Sequence, residues 1–353
     1  MRPADRPRAL LLTPSRGLGG GIERYVETLE WSFAAEGVRH QRIDLQGSGP
    51  AAHARLVAEA HRKLRSMGGP ARLVLAHRAL LPAAAVLSRS RLVSGTSVIC
   101  HGSDVWDARL RPRRQVELRQ MRRPSVRVVG VSSYTAGALA ADCQAAVLPP
   151  GLSASWFQTL AAAADAAGPR EPGIRLVTAF RLADWAGKGL PELLGAVAGL
   201  DRTDVTVSVC GSGQPPAGLL RLVSQYPFCE LRASLPDHEL AAEFAAADLF
   251  VLATRTRAGR DACGEGFGMV LLEAQVAGTP VVAPAYGGSH DAFIDHVTGL
   301  APADETAGAL RRVLHRLLSQ PTALDQMGKL ASDWARECYA PERYAARAVA
   351  TLL

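Results

Sequence analysis

The chain has 353 residues, 48% of them hydrophobic, enough for two domains with cores of their own. Lys and Arg number 40 against 33 Asp and Glu, and the net charge of +7 suits anionic partners rather than cationic ones. The six cysteines, at 100, 143, 210, 229, 263 and 338, form no CxxC pair, which excludes zinc and redox motifs of that kind and fits a reducing compartment.

The first apolar run, Ala9–Thr13, reads as a strand. The glycines Gly17-Leu18-Gly19-Gly20-Gly21 follow it, and a helical pattern covers Glu23–Glu36. Further strands are expected at Leu73–Ala76, Ser97–Cys100, Val126–Val131 and Ala146–Leu148. The Ala-, Gly- and Pro-rich stretch Ala161–Pro172 reads as a linker. Beyond it the theme repeats, with strands at Ile174–Ala179, Val205–Cys210, Leu249–Ala253 and Pro280–Ala283. Helical patterns cover Leu190–Gly199, Leu240–Ala246, Val270–Ala277, Ala307–Leu318 and Ser332–Leu353. The apolar runs do not alternate, as expected of strands buried on both faces of a parallel sheet. Strand then helix, repeated, predicts an α/β chain of two doubly wound, Rossmann-like domains facing a central cleft. The expected boundaries are 1–165 and 173–335, with a helix in 336–353 packing back on the first domain. No run of about 18 apolar residues suggests a membrane span, and no long apolar stretch near Met1 suggests secretion. A cytoplasmic location is expected.

Arg109, Arg111, Arg113, Arg114, Arg119, Arg122, Arg123 and Arg127 crowd one stretch. They form either a solvated helix face or a surface for anions, such as the inner face of an anionic membrane.

Several residues carry possible chemistry. Arg181 and Lys188 follow the strand Ile174–Ala179, at the end where such sheets bind ligands. Fixed cations there can stabilise charge on a leaving diphosphate. The glycines before the first helix allow close approach of backbone to a phosphate, with a structural tight turn as the rival. Gly211-Ser212-Gly213 is a weaker signal of the same sort. In Glu265-Gly266-Phe267-Gly268-Met269-Val270-Leu271-Leu272-Glu273, a glycine turn opens an apolar helix whose N-terminus favours negative charge. Glu273 falls where the helix is buried, so it needs partners, which a ribose diol would supply. A fully helical spacing would part the two glutamates by about 12 Å, beyond the roughly 5–9.5 Å of a glycosidase acid/base pair.

These motifs, in this order, resemble the retaining glycosyltransferases of family GT4, the sucrose-synthase and glycogen-synthase-like group with the GT-B fold. The resemblance runs over nearly the whole chain. It is carried by Gly20-Gly21-Ile22-Glu23-Arg24, Cys100-His101-Gly102-Ser103-Asp104, Val131-Ser132-Ser133 and Leu148-Pro149-Pro150-Gly151. In the second half it is carried by Arg181 with Lys188-Gly189, by Glu265 to Glu273, and by Gly278-Thr279-Pro280-Val281-Val282 and Gly287-Gly288. The resemblance implies a hexosyltransferase that uses a nucleotide-diphosphate sugar, by family frequency a UDP-sugar, with neither cofactor nor metal. Arg181 and Lys188 would hold the diphosphate, Glu273 the ribose, and Glu265 the transferred sugar. Gly268, Met269 and Val270 would offer backbone N–H groups, Gly20 and Gly21 would approach the phosphate, and His101 would line the sugar pocket. It also implies front-face substitution with retained configuration.

Asp104 and Trp106 are acceptor-binding candidates, against a helix cap and a packing residue. Trp185 reads as packing, and His101 alone would read as a structural histidine. The expected acceptor is a hydroxyl of a small natural product or sugar-like molecule, since no amphipathic apolar face accompanies the arginine stretch; the alternative is a lipid-linked or cell-envelope glycan. The sequence departs from the family pattern at Phe180, at Ser289-His290-Asp291, and in the lead-in Ala258–Gly264. A GT-B epimerase or phosphorylase, or a non-catalytic anion or nucleic-acid binder, are the rival classes. Nucleic acid is not an expected partner, and the sequence is silent on oligomeric state.

Overall fold

The computed structural model describes residues 6–14, 21–102, 105, 112–168, 172–257 and 263–353, with the backbone alone at 112–114. Gly20, Asp104, Trp106, Arg109 and Arg111 lie outside the described residues. The described chain forms two compact units. One comprises Met1–Ser153 with Pro341–Leu353, the other Ala154–Arg257 with Cys263–Ala340.

In the first unit β1 (Arg8–Thr13), β2 (Arg39–Asp44), β3 (Ala71–Leu75), β4 (Val93–Cys100), β5 (Val126–Gly130) and β6 (Ala145–Val147) form a six-stranded sheet. Its order is β2-β1-β3-β4-β5-β6, and every pair is parallel. In the second unit β7 (Ile174–Ala179), β8 (Val205–Gly211), β9 (Cys229–Ala233), β10 (Leu249–Val251), β11 (Val281–Val282) and β12 (Gly299–Leu300) do the same. There the order is β12-β11-β10-β7-β8-β9, again all parallel. Leu10, Leu11 and Leu12 of β1 and Leu249, Phe250 and Val251 of β10 are fully buried, because helices cover both faces. Strand order reverses between β1 and β3 in one sheet and between β7 and β10 in the other. These are the switch points at which loops part and ligands bind.

Three expectations are revised. The strands β2, β9 and β12 were not foreseen; all lie at sheet edges, where β2 stays polar, as in Arg39–Asp44, and β12 is two buried residues, Gly299 and Leu300, too short to write a pattern. The segment expected to be a linker is helical in its first part, since a helix spans Ala154–Asp165 and lies within the second unit. The expected single helix over Ser332–Leu353 is two, Pro321–Cys338 and Pro341–Leu352, because Pro341 lacks the N–H to continue the first.

The helix Pro341–Leu352 packs in the first unit. Its Tyr344 is fully buried, and its ring lies where a Cβ on Gly151 would come within 2.5 Å of Cγ. Burial pushes the Tyr25 and Tyr344 phenols well above their usual range. Ser97 Oγ donates to Leu352 O at 2.6 Å, and Arg127 Nη1 donates to Thr351 O at 2.6 Å, satisfying carbonyls at the helix C-terminus. Arg127 therefore leaves the expected basic patch. Arg122 keeps an exposed side chain, although it donates to Asp142 O at 2.8 Å and pairs with its carboxylate at 3.1 Å.

Gly151→Ala should displace Tyr344 and cost about 1–3 kcal/mol, read as a lower melting temperature and earlier proteolysis within 341–352. Burial raises the thiols of Cys210 to about 12 and of Cys229 to about 11. Neither should react with iodoacetamide at pH 8 until the chain is unfolded in urea, and mass spectrometry of labelled peptides would show it. Unfolded thiols ionise first, so this contribution to stability is present below about pH 8.5 and is lost as pH rises through those values.

Candidate functional site

The second unit's switch point is built from two loops. After β7 the chain passes Phe180, whose N–H donates to Cys210 O at 3.1 Å, and Arg181. Gly211 makes room for Phe180, since a Cβ on Gly211 would lie 2.1 Å from Phe180 O. A 3-10 turn, Leu182–Asp184, leads to Lys188 and Gly189. Gly189 has φ +70°, and a Cβ on it would lie 1.9 Å from Ala253 O, just past β10. Only glycine fits there, and the contact sets Lys188 beside Thr254. Arg255 N donates to Gly187 O at 2.9 Å, tying the same loops together.

The sequence pair Arg181 and Lys188 takes different partners. Arg181 is half-exposed, with Nε 3.1 Å from Asp184 Oδ2. Lys188 Nζ lies 2.8 Å from Glu265 Oε2, with both side chains partly buried. Thr254 Oγ1 donates to that oxygen at 3.1 Å. The Glu265 backbone is pinned as well. Gly288 N donates to Glu265 O at 2.8 Å, and a Cβ on Gly287 would meet that oxygen at 2.7 Å.

Gly268 follows with φ 83° and caps the helix Met269–Val276. The amides of Met269 and Val270 are in its first turn, where intrahelical acceptors are missing and the dipole is positive. The helix is buried from Leu271 to Val276, and Glu273 is 5% exposed within it. The turn at Gly268 thus brings a carboxylate, a cation and a helix N-terminus to the carboxyl ends of β7 and β10. Such an arrangement suits an anionic ligand that also carries hydroxyls.

In the first unit His101 follows β4. Its Nε2 donates to Ala76 O at 2.7 Å, which fixes the proton on that nitrogen. Its ring stacks on His77 at 6.1 Å and meets the edge of Tyr25 at 5.7 Å. His77 Nδ1 accepts from Ala79 N at 3.0 Å. Gly21 opens the helix Gly21–Ala35 and is exposed. Sequence reasoning missed His77 and Thr254, although each is a polar residue just past an apolar strand. Trp185 packs against the core of the second unit, in line with its packing role. Among the described residues no group of three or more His, Cys, Asp or Glu is placed to hold a metal, and no helix is long and apolar enough to cross a membrane.

The family described as glycosyl transferases group 1 matches residues 168–334, which contain this site. A GDP-mannose-dependent alpha-(1-6)-phosphatidylinositol monomannoside mannosyltransferase of Mycolicibacterium smegmatis is 32% identical over 69% of this chain, spanning 65% of the relative's own length. One of the same description from Mycobacterium tuberculosis is 30% identical over 79% of this chain and 73% of the relative. Sucrose-phosphate synthase from Thermosynechococcus elongatus shares the fold, with a TM-score of 0.76 and 19% identity over 97% of each chain. The chain therefore belongs to the glycosyl transferases group 1 family, as a GT4-type glycosyltransferase with the GT-B fold.

Proposed function

We propose that the chain transfers a hexose from a nucleoside-diphosphate donor to an acceptor hydroxyl, with retained configuration and with protein cations in place of a metal. The observation that carries this reading is the Lys188–Glu265 pair, held 2.8 Å apart at the switch point beside a helix N-terminus. Breaking the donor bond puts charge on the departing diphosphate. Lys188 and Arg181 are assigned to that charge, with the amides of Met269 and Val270. Glu265 takes a hydroxyl of the sugar and Glu273 the ribose. In the first unit, His101 and Gly21 keep the roles implied by the family resemblance.

The two mannosyltransferases named above are GDP-mannose-dependent, which favours GDP-mannose over the uridine donor expected from family frequency. Their acceptor also favours the lipid-linked class over the small acceptor. A membrane approach through residues 109–127 loses Arg127 to the carbonyls of the helix Pro341–Leu352, while Arg119, Arg122 and Arg123 stay exposed, Arg122 in a pair with Asp142.

A thermal-shift panel of nucleotide sugars should raise the melting temperature with GDP-mannose most, since a ligand of the native state stabilises by mass action. Lys188→Ala and Glu273→Ala should each weaken nucleoside-diphosphate binding by roughly tenfold or more, as expected for lost charge-assisted contacts. Unchanged affinity in both would overturn the site. Transfer should survive EDTA, and a strict metal requirement would defeat the assignment of charge to Arg181 and Lys188.

A further inference from the structure

Among the described residues, Glu265 receives two hydrogen bonds from side chains, and both fall on one oxygen. Lys188 Nζ lies 2.8 Å from Oε2, and Thr254 Oγ1 lies 3.1 Å from it. The terminal torsion of a glutamate is broad and nearly two-fold, so a single contact leaves its two oxygens interchangeable. Two donors approaching one oxygen from different loops remove that freedom.

We propose that Thr254 is a positioning residue: it holds Oε2 of Glu265 next to Lys188 and so presents Oε1 to a hydroxyl of the donor sugar. This rests on the donor reading given above. The Thr254 hydroxyl is itself fixed by the fold. Thr254 is 3% exposed. The residue after it donates its N–H to Gly187 O at 2.9 Å, and its guanidinium pairs with Glu192. Thr256 N donates to Glu305 Oε1 at 2.6 Å. Arg257 and Cys263 then exchange backbone hydrogen bonds of 2.9 and 3.0 Å, which returns the chain toward Glu265.

The second bond matters because Lys188 has two duties. An ammonium has three N–H groups, one of them spent on Oε2 and the others open to a phosphate. When a diphosphate draws Lys188 toward itself, Thr254 still anchors the carboxylate. Without that hydroxyl, the anion that binds Lys188 would also release Glu265, and the sugar would meet a carboxylate of unfixed orientation.

The test is calorimetric titration of wild type, Thr254→Val and Thr254→Ser with GDP and GDP-mannose, and with UDP and UDP-glucose. The pair that the wild type binds more tightly is then followed. Thr254→Val should hold the nucleoside diphosphate within about twofold of wild type. Its ratio of nucleotide-sugar to nucleotide affinity should fall about fivefold, the size expected for one ordinary hydrogen bond. Thr254→Ser should restore the ratio, and thermal melts should show both variants folded. An unchanged ratio, or an equal loss for both ligands, would overturn the positioning role while leaving the donor reading intact, provided that Lys188→Ala still loses nucleotide. Failure of the wild type to bind any of the four ligands would sink the donor reading, and this inference with it.

Discussion

The closest constraint in the second unit is steric. Gly189 and the carbonyl of Ala253 approach so nearly that a methyl group cannot stand between them. These residues belong to the loops after β7 and β10, the neighbours at which strand order reverses. In most doubly wound sheets the switch point is a crevice because such loops diverge. Here one backbone contact keeps them in touch at their base, and the charged side chains are carried just beyond it. The ion pair, the hydroxyl of Thr254 and the turn at Gly268 all depend on that spacing.

The electrostatic arrangement follows from it. A partly buried lysine and glutamate in contact offset each other's desolvation, and removal of either leaves a charge without its partner. Gly287 lies against the Glu265 carbonyl and Gly268 against its side chain, so its main chain is held as well as its carboxylate. Arg181 differs. It is half-exposed and, among the described residues, paired with a neighbouring aspartate on its own turn, so its geometry is free to adapt to a ligand. The site thus combines a rigid charge pair with an adjustable cation.

Much of this was legible in the sequence, and each failure has its own physical reason. The central strands showed because burial on both faces writes an unbroken apolar run, as in Leu10-Leu11-Leu12. The edge strands β2 and β9 did not, because a strand covered on one side tolerates Arg, Gln and Glu, and β12 did not because two residues write no pattern. Ala154–Asp165 was partly mistaken for a linker because alanines mark helices and linkers alike; its Trp156 and Leu160 are buried, and that pattern was the better guide. Glycines announced the Glu265 turn. Thr254 stayed silent, since one hydroxyl past a strand acquires meaning only from a residue eleven positions on. His77 was hidden likewise, its stacking on His101 being a product of strand order rather than of spacing.

The docking of Pro341–Leu352 against Tyr25, Gly151, Ser97 and Arg127 bears on how the molecule is assembled during synthesis. The first unit is interrupted in sequence: its sheet is made first, but one of its packing helices is encoded after the entire second unit. Until that helix emerges from the ribosome, the notch at Gly151 and the donors on Ser97 and Arg127 face water. The usual order, in which the amino-terminal domain is completed first, is therefore inverted. The second unit can be finished while the first still waits for this helix.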